Sequence, residues 1–153
     1  MTEQSKNSND KYVISVTGTQ FIDGESDTIE LTTTAAYAER NGKKLIRYRE
    51  YADDGSEEYT TTLLSIENGK RLSIIKNLDR SSELILEEGQ RHQCAYFTPI
   101  GSMMIGVYTE SIYVDINKNG GKLEVEYTLD FNSGFESTNR IEIELKKKEN
   151  IDV

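Results

Sequence analysis

Hydrophobicity with a period of two runs through most of the chain. KLEVEYTLDF is the clearest case, with Leu123, Val125, Tyr127, Leu129 and Phe131 on one side and Glu124, Glu126, Thr128 and Asp130 on the other. RIEIELKKK (140–148) repeats the pattern. Successive side chains of a strand point to opposite faces, so such alternation makes one face dry and the other wet. Further strand runs are YVISVTGTQ (12–20), TIELTTTAAYAE (28–39), KLIRYREY (44–51), EYTTTLLSIE (58–67), RLSIIKNL (71–78) and RHQCAYFT (91–98). SMMIGVYTESIYVDI (102–116) reads as one long strand or a bent pair. DRSSELILEEGQ (79–90) fits a short helix capped by Ser81 or Ser82, or a strand around Leu84–Leu86. Its short, bounded apolar run favours the strand.

Asn41-Gly42, Asp54-Gly55 and Asn68-Gly69 mark tight hairpin turns, because both residue types accept positive φ. IDGESD (22–27), NKNGG (117–121) and NSGFESTN (132–139) read as connections. Short turns between strands describe an antiparallel meander, and a large sheet with one dry face must curl or fold over. The expectation is all-β, a single antiparallel up-and-down barrel of about eight to ten strands. The barrel would occupy 12–147, between a disordered tail at 1–11 and a short tail at 148–153. YFTPIGSMMIGVYT (96–109) then reads as a corner. Pro99 interrupts the ladder, Gly101 and Gly106 permit a bend or bulge, and Met103, Met104 and Ile105 fill the adjoining core.

A length of 153 residues suits one domain with one core. The 18 basic and 27 acidic residues leave a formal charge of -9, which repels phosphates, so neither nucleic acid nor membrane is an expected partner. The lone Cys94 excludes an internal disulfide and fits a reducing compartment. MTEQSKNSNDK has no apolar signal-peptide core, and no apolar run is long enough to span a bilayer. A cytoplasmic location is therefore expected.

RYREY, YFTPIGSMMIGVYT, GGKLEVEYTLDF and NRIEIEL, in that order, resemble the YwiB-like family of uncharacterised bacterial proteins. The most specific elements are Tyr48 with Glu50, the Thr98-Pro99-x-Gly101 corner, Thr109 and Tyr127. The resemblance spans Tyr12 to Lys147 and implies a calycin-type, lipocalin-like barrel and, by analogy of fold, a ligand cavity. Lys76 and Leu78 stand where family members usually carry Arg and Gly, and Leu84 and Leu86 where Met and Phe are more typical. The family has no agreed catalytic or ligand residues, so no role passes to this chain.

Several constellations suggest chemistry and fall away. DINKNGGKLEVE matches a calcium-loop string through Asp115, Asn117, Asn119, Gly120 and Glu126. Both flanks alternate as strands, which carries Glu126 away from the turn, so a hairpin explains the segment. His92 and Cys94 share a strand face, as a thiolate–imidazole pair would, but each is the only one of its kind and no third group orients the ring. Glu124, Glu126, Asp130, Glu142 and Glu144 lie on wet faces, where charge is expected. Neither metal nor cofactor is expected, and the residues favour a non-enzymatic role.

One anomaly remains. Ile46, Tyr48 and Glu50 share a face, as do Leu72, Ile74, Lys76 and Leu78. With the apolar members inward, Glu50 and Lys76 point inward too, and a buried charge needs a partner. They read either as an ion pair bracing the barrel or as a polar anchor in a cavity with Tyr48, His92, Tyr96 and Tyr127. The first functional expectation is a binding module holding a small hydrophobic or amphipathic molecule inside the barrel. The alternative is a side-chain-filled barrel serving protein interaction or assembly, for example as a homodimer.

Overall fold

The computed structural model describes residues 10–52, 54–77, 83–98, 101–131, 134 and 136–148, without the side chains of 96–98 and 102. The expected tails at 1–11 and 148–153 fall almost wholly outside the described residues, as do Pro99 and Ile100 of the expected corner. Ten strands follow one another: β1 (Tyr12–Ile22), β2 (Glu25–Arg40), β3 (Lys43–Tyr51), β4 (Tyr59–Glu67), β5 (Arg71–Lys76), β6 (Leu84–Glu87), β7 (Arg91–Thr98), β8 (Gly101–Asn117), β9 (Gly120–Phe131) and β10 (Glu136–Lys147). Their spatial order is β6-β5-β4-β3-β2-β1-β10-β9-β8-β7, with every neighbouring pair antiparallel. Each strand therefore pairs with its predecessor in the chain except across β6–β7, and β1 meets β10, with Ile14 opposite Leu145 and Val16 opposite Ile143. The result is a nearly closed, all-β barrel with no helix among the described residues.

Two segments read as loops are strand. β1 and β2 run to a two-residue turn at Asp23 (φ 50°) and Gly24 (φ 81°), so most of IDGESD joins the ladder. The Asp-Gly pair supplies the two positive φ values that such a turn requires. Likewise β10 begins at Glu136, and Ser137 and Asn139 of NSGFESTN pair with Leu129 and Tyr127. The ambiguous 79–90 segment contributes β6 at Leu84–Glu87, while 78–82 lies outside the described residues.

The corner needs two corrections. Met103 and Met104 are 43% and 49% exposed, and only Ile105 is buried. Met104 lies on the outer face with Gly106 and Tyr108, and Met103, on the inward series of Ile105 and Val107, extends past β9, which β8 joins first at Ile105 opposite Phe131. Gly106 is not a bend. A Cβ there would lie 2.3 Å from the Arg91 guanidinium and 2.7 Å from the Asp130 carboxylate. Arg91 of β7 crosses β8 over this glycine to pair with Asp130 of β9. The bulge lies farther along, between Thr109 and Ser111.

The core is packed hardest at one end, where short turns join β2 to β3, β4 to β5 and β8 to β9. Ile14, Ile46, Leu72, Ile116, Leu123 and Leu145 are almost wholly inaccessible there. The Tyr12 hydroxyl donates to the Lys118 carbonyl at 2.6 Å, and Lys44 Nζ donates to the Ile116 carbonyl. Towards the opposite end burial declines, and Ile29 on the β1–β2 ribbon is 72% exposed. Among the described residues the barrel thus has a sealed base and an open mouth.

This asymmetry predicts opposite responses of two inward glycines. At Gly121 (φ 142°) a Cβ would lie 1.8 Å from the Asp115 carbonyl oxygen, so Gly121→Ala should destabilise the protein by more than ~2 kcal/mol in urea unfolding. At Gly18 a Cβ meets nothing within 4 Å. Gly18→Ala should leave stability unchanged or raise it by up to ~1 kcal/mol, because it removes freedom from the unfolded chain.

Candidate functional site

At the mouth, the inner faces of β9, β10, β1 and β2 form an open cleft of about 280 Å³. Gly18 opens its floor, because no side chain rises between Ile29 on one side and Ile141 on the other. Ile29, Leu129 and Ile141 supply apolar wall, while Tyr127, Asn139, Gln20 and Asp27 supply polar groups. The polar four form one transverse row, since Tyr127 stands opposite Asn139, Asn139 opposite Gln20, and Gln20 opposite Asp27.

Tyr127 and Asn139 are 9% and 6% exposed. Asn139 Nδ2 donates to Ser137 Oγ at 3.0 Å and to the Ser137 carbonyl at 3.2 Å. That fixes the amide and leaves Oδ1 without a partner among the described residues. The Tyr127 hydroxyl also has none, and burial pushes its pKa up to about 12, so it stays neutral. Thr109, opposite Tyr127 on β8, has a fully buried hydroxyl with no partner. Buried polar groups are normally hydrogen-bonded, so the Thr109 hydroxyl stands out, while the Tyr127 hydroxyl and Asn139 Oδ1, on largely buried residues, are open to the cleft.

Arg140 flanks the cleft, but its guanidinium serves the outer face. Nε bonds Glu142 at 2.6 Å, the two terminal nitrogens reach Glu126 and Glu124, and the Glu142 bond is the main cause of its raised pKa. Glu124 and Glu142 face each other directly across the ladder, so one cation offsets a cross-strand repulsion. The calcium-like string is spent on the β8–β9 hairpin. Asn117 Oδ1 accepts from the Asn119 N–H at 2.8 Å, and Glu126 lies within β9.

The six residues singled out from sequence are scattered. Tyr127 lines the cleft. Tyr48 is buried on β3 beside Thr62, whose hydroxyl lacks a full hydrogen bond, and burial followed by the nearby Glu50 charge raises the Tyr48 pKa to about 12. Glu50 and Lys76 do meet, at 3.7 Å, but their side chains are 39% and 55% exposed. The expected burial is wrong for both, because β3 and β5 reach the rim at these positions and water solvates the charges. Such a pair contributes about 0–1 kcal/mol. Tyr96 stands opposite Met103 on β7, and its side chain lies outside the described residues.

His92 lies at the seam between β6 and β7, where no ladder closes the sheet. Its Nε2 is 2.9 Å from Glu87 Oε1, which Arg71 also approaches at 3.3 Å. A carboxylate partner for the ring therefore exists, although it was not evident in the sequence. Cys94 on the same strand is buried. The adjacent Glu88 completes the seam. It makes a parallel bridge to Thr109, the Gly89 N–H donates to the Thr109 carbonyl at 2.8 Å, and Glu88 Oε1 accepts from the Ile112 N–H at 3.0 Å. A side-chain oxygen here takes the place of a strand carbonyl, and Lys70 Nζ holds the other oxygen at 2.9 Å.

A family model described as a domain of unknown function, DUF1934, matches residues 14–143. The chain belongs to the DUF1934 family. Its fold is similar to the crystal structure of the ywiB protein from Bacillus subtilis, with a TM-score of 0.65 and 20% identity over 87% of this chain and 89% of that one. At that identity the likeness establishes the fold alone, and it agrees with the sequence resemblance to YwiB-like proteins. No curated protein gives a significant match.

Sequence reasoning missed most of this DUF1934 cleft. Gly18 and Gln20 continue the inward series Tyr12, Ile14, Val16, and Asn139 continues Ile141, Ile143, Leu145. The expected strand at 12–20 already held Gly18 and Gln20, but neither residue by itself signals a cleft, and reading 22–27 and 132–139 as loops left Asp27 and Asn139 out of the strands.

The Glu88 carboxylate gives the DUF1934 seam a pH dependence of predictable sign. The Ile112 N–H first, and Lys70 second, hold its pKa below the ordinary 4.5. Its charge therefore stabilises the fold above that value, and the contribution disappears as pH falls through the lowered native pKa. Glu88→Gln should lower the melting temperature at pH 7 and leave little difference from wild type in strong acid. An equal deficit at both extremes would contradict the assignment.

Proposed function

We propose that this barrel is a non-enzymatic binding module whose mouth cleft takes one small amphipathic molecule. The observation that carries the proposal is the accessible cleft over Gly18, in which apolar wall adjoins two buried residues with unpaired polar atoms, Tyr127 and Asn139. Ligand sites usually combine apolar walls with a few convergent polar groups. The volume, about 280 Å³, suits a small ligand or one end of a longer one. Of the residues expected from sequence, Tyr127 lies in this site, while Tyr48, Glu50 and Lys76 would act from the opposite rim. The well-packed base limits the ligand to the mouth.

A second reading, a protein-interaction module, draws on Met104, Tyr108 and Tyr113, which are exposed along the outer face of β8. It would make the protein a homodimer through that face.

N-phenyl-1-naphthylamine, an uncharged fluorophore with one N–H donor, tests the first reading. Its fluorescence should rise saturably with one site per chain. Gly18→Leu, which fills the floor where a Cβ meets no neighbour, should weaken binding at least tenfold without lowering the melting temperature. Failure of the fluorescence to saturate, or unchanged affinity in Gly18→Leu, would overturn the mouth site. Dimerisation in light scattering that Tyr113→Glu abolishes would then favour the second reading.

A further inference from the structure

We infer that the mouth cleft selects an uncharged headgroup carrying hydrogen-bond donors, such as a hydroxylated amphiphile, and discriminates against carboxylates and phosphates. This inference rests on the cleft being a ligand site and goes further by assigning the ligand's polar chemistry.

Three observations carry it. First, the polar atoms left open on the two largely buried lining residues are an acceptor and a hydroxyl. Asn139 has both amide hydrogens directed to Ser137 and only Oδ1 remaining. The Tyr127 hydroxyl, directly across the ladder, can donate or accept. A ligand hydroxyl that donates to Asn139 Oδ1 and accepts from Tyr127 would satisfy both, whereas a carboxylate has no proton for the amide oxygen. Leaving a buried acceptor facing another acceptor is costly, and sites built to bond a donor reject analogues lacking it.

Second, no lining cation among the described residues is free to receive an anion. Among the described residues the only cationic lining side chain is Arg140, and its nitrogens are directed to Glu124, Glu126 and Glu142 on the outer face. The other charged lining residue is Asp27, whose carboxylate at the rim repels anions. A chain carrying -9 overall strengthens that repulsion.

Third, the apolar part of the ligand has a defined place. Ile29 and Ile141 flank Gly18, and Leu129 adjoins Tyr127 two residues along β9, so a short alkyl segment can lie beside the polar row. Burying it explains why Ile29, at 72% exposure, is tolerated at the mouth.

The test is displacement of bound N-phenyl-1-naphthylamine at pH 7.5 by three ten-carbon amphiphiles: 1-decanoylglycerol, decanoate and decyltrimethylammonium. Decanoylglycerol should compete at a concentration at least tenfold lower than either ion. Tyr127→Phe should shrink the preference for decanoylglycerol over decanoate at least threefold. Decanoate competing as well as decanoylglycerol would overturn the headgroup assignment while leaving the mouth site standing. Equal competition by decyltrimethylammonium would overturn it as well, by showing that the Asp27 charge and not the hydrogen-bond pair selects. No competition by any of the three would also overturn it. Loss of fluorophore binding itself, in wild type, would instead remove the underlying site.

Discussion

The ladder between β1 and β10 is the constraint on which this structure depends. By joining the two ends of a meander it converts a ten-stranded sheet into a container, and it converts period-two alternation into an inside and an outside. A one-residue slip there would move either Ile14 and Val16 or Ile143 and Leu145 to the wet face, bringing Ser15, or Glu142 and Glu144, inward. The register is consequently enforced by burial on both strands. The opposite closure, at β6–β7, is of another kind. It relies on a few backbone bonds around Thr109 and on carboxylates of Glu87 and Glu88, and so is weaker and dependent on charge.

Packing and polarity divide along the barrel axis. The base is filled by branched aliphatic side chains and closed by Tyr12 and Lys44, both bonded to carbonyls near the β8–β9 turn. A filled base gives stability without room for a ligand. The mouth carries, on the largely buried Tyr127 and Asn139, a hydroxyl and an amide oxygen open to the cleft. The outer surface handles charge differently again, with Arg140 set among three glutamates and the Arg91–Asp130 pair laid across Gly106.

Most of the fold was legible in the sequence because its signal is local. KLEVEYTLDF and RIEIEL show their faces directly, and Asn41-Gly42 and Asn68-Gly69 turn where positive φ is needed. The family resemblance agreed with that alternation. The site was far less legible, because it depends on which inward residues sit near the mouth. Glu50 and Lys76 lie on inward-facing positions, yet exposure depends on how far each strand runs beyond its neighbours, and that is a property of the whole ladder. Met103 misled for the same reason, whereas Met104 belongs to the outward series of β8. Asn139 was hidden by an early strand end, Gly18 by having no side chain to signal a site, and the His92–Glu87 contact by a seam that alternation alone cannot reveal.

Hydrogen exchange resolved by residue tests the division into sealed base and open mouth most directly. Amides of Ile14, Leu123, Val125, Ile143 and Leu145 should exchange only through global unfolding, while those of 20–28 at the β1–β2 tip should exchange at least a hundredfold faster through local opening. Uniform protection along β1 and β2, or slower exchange at the tip than at Ile14 and Leu145, would contradict the account.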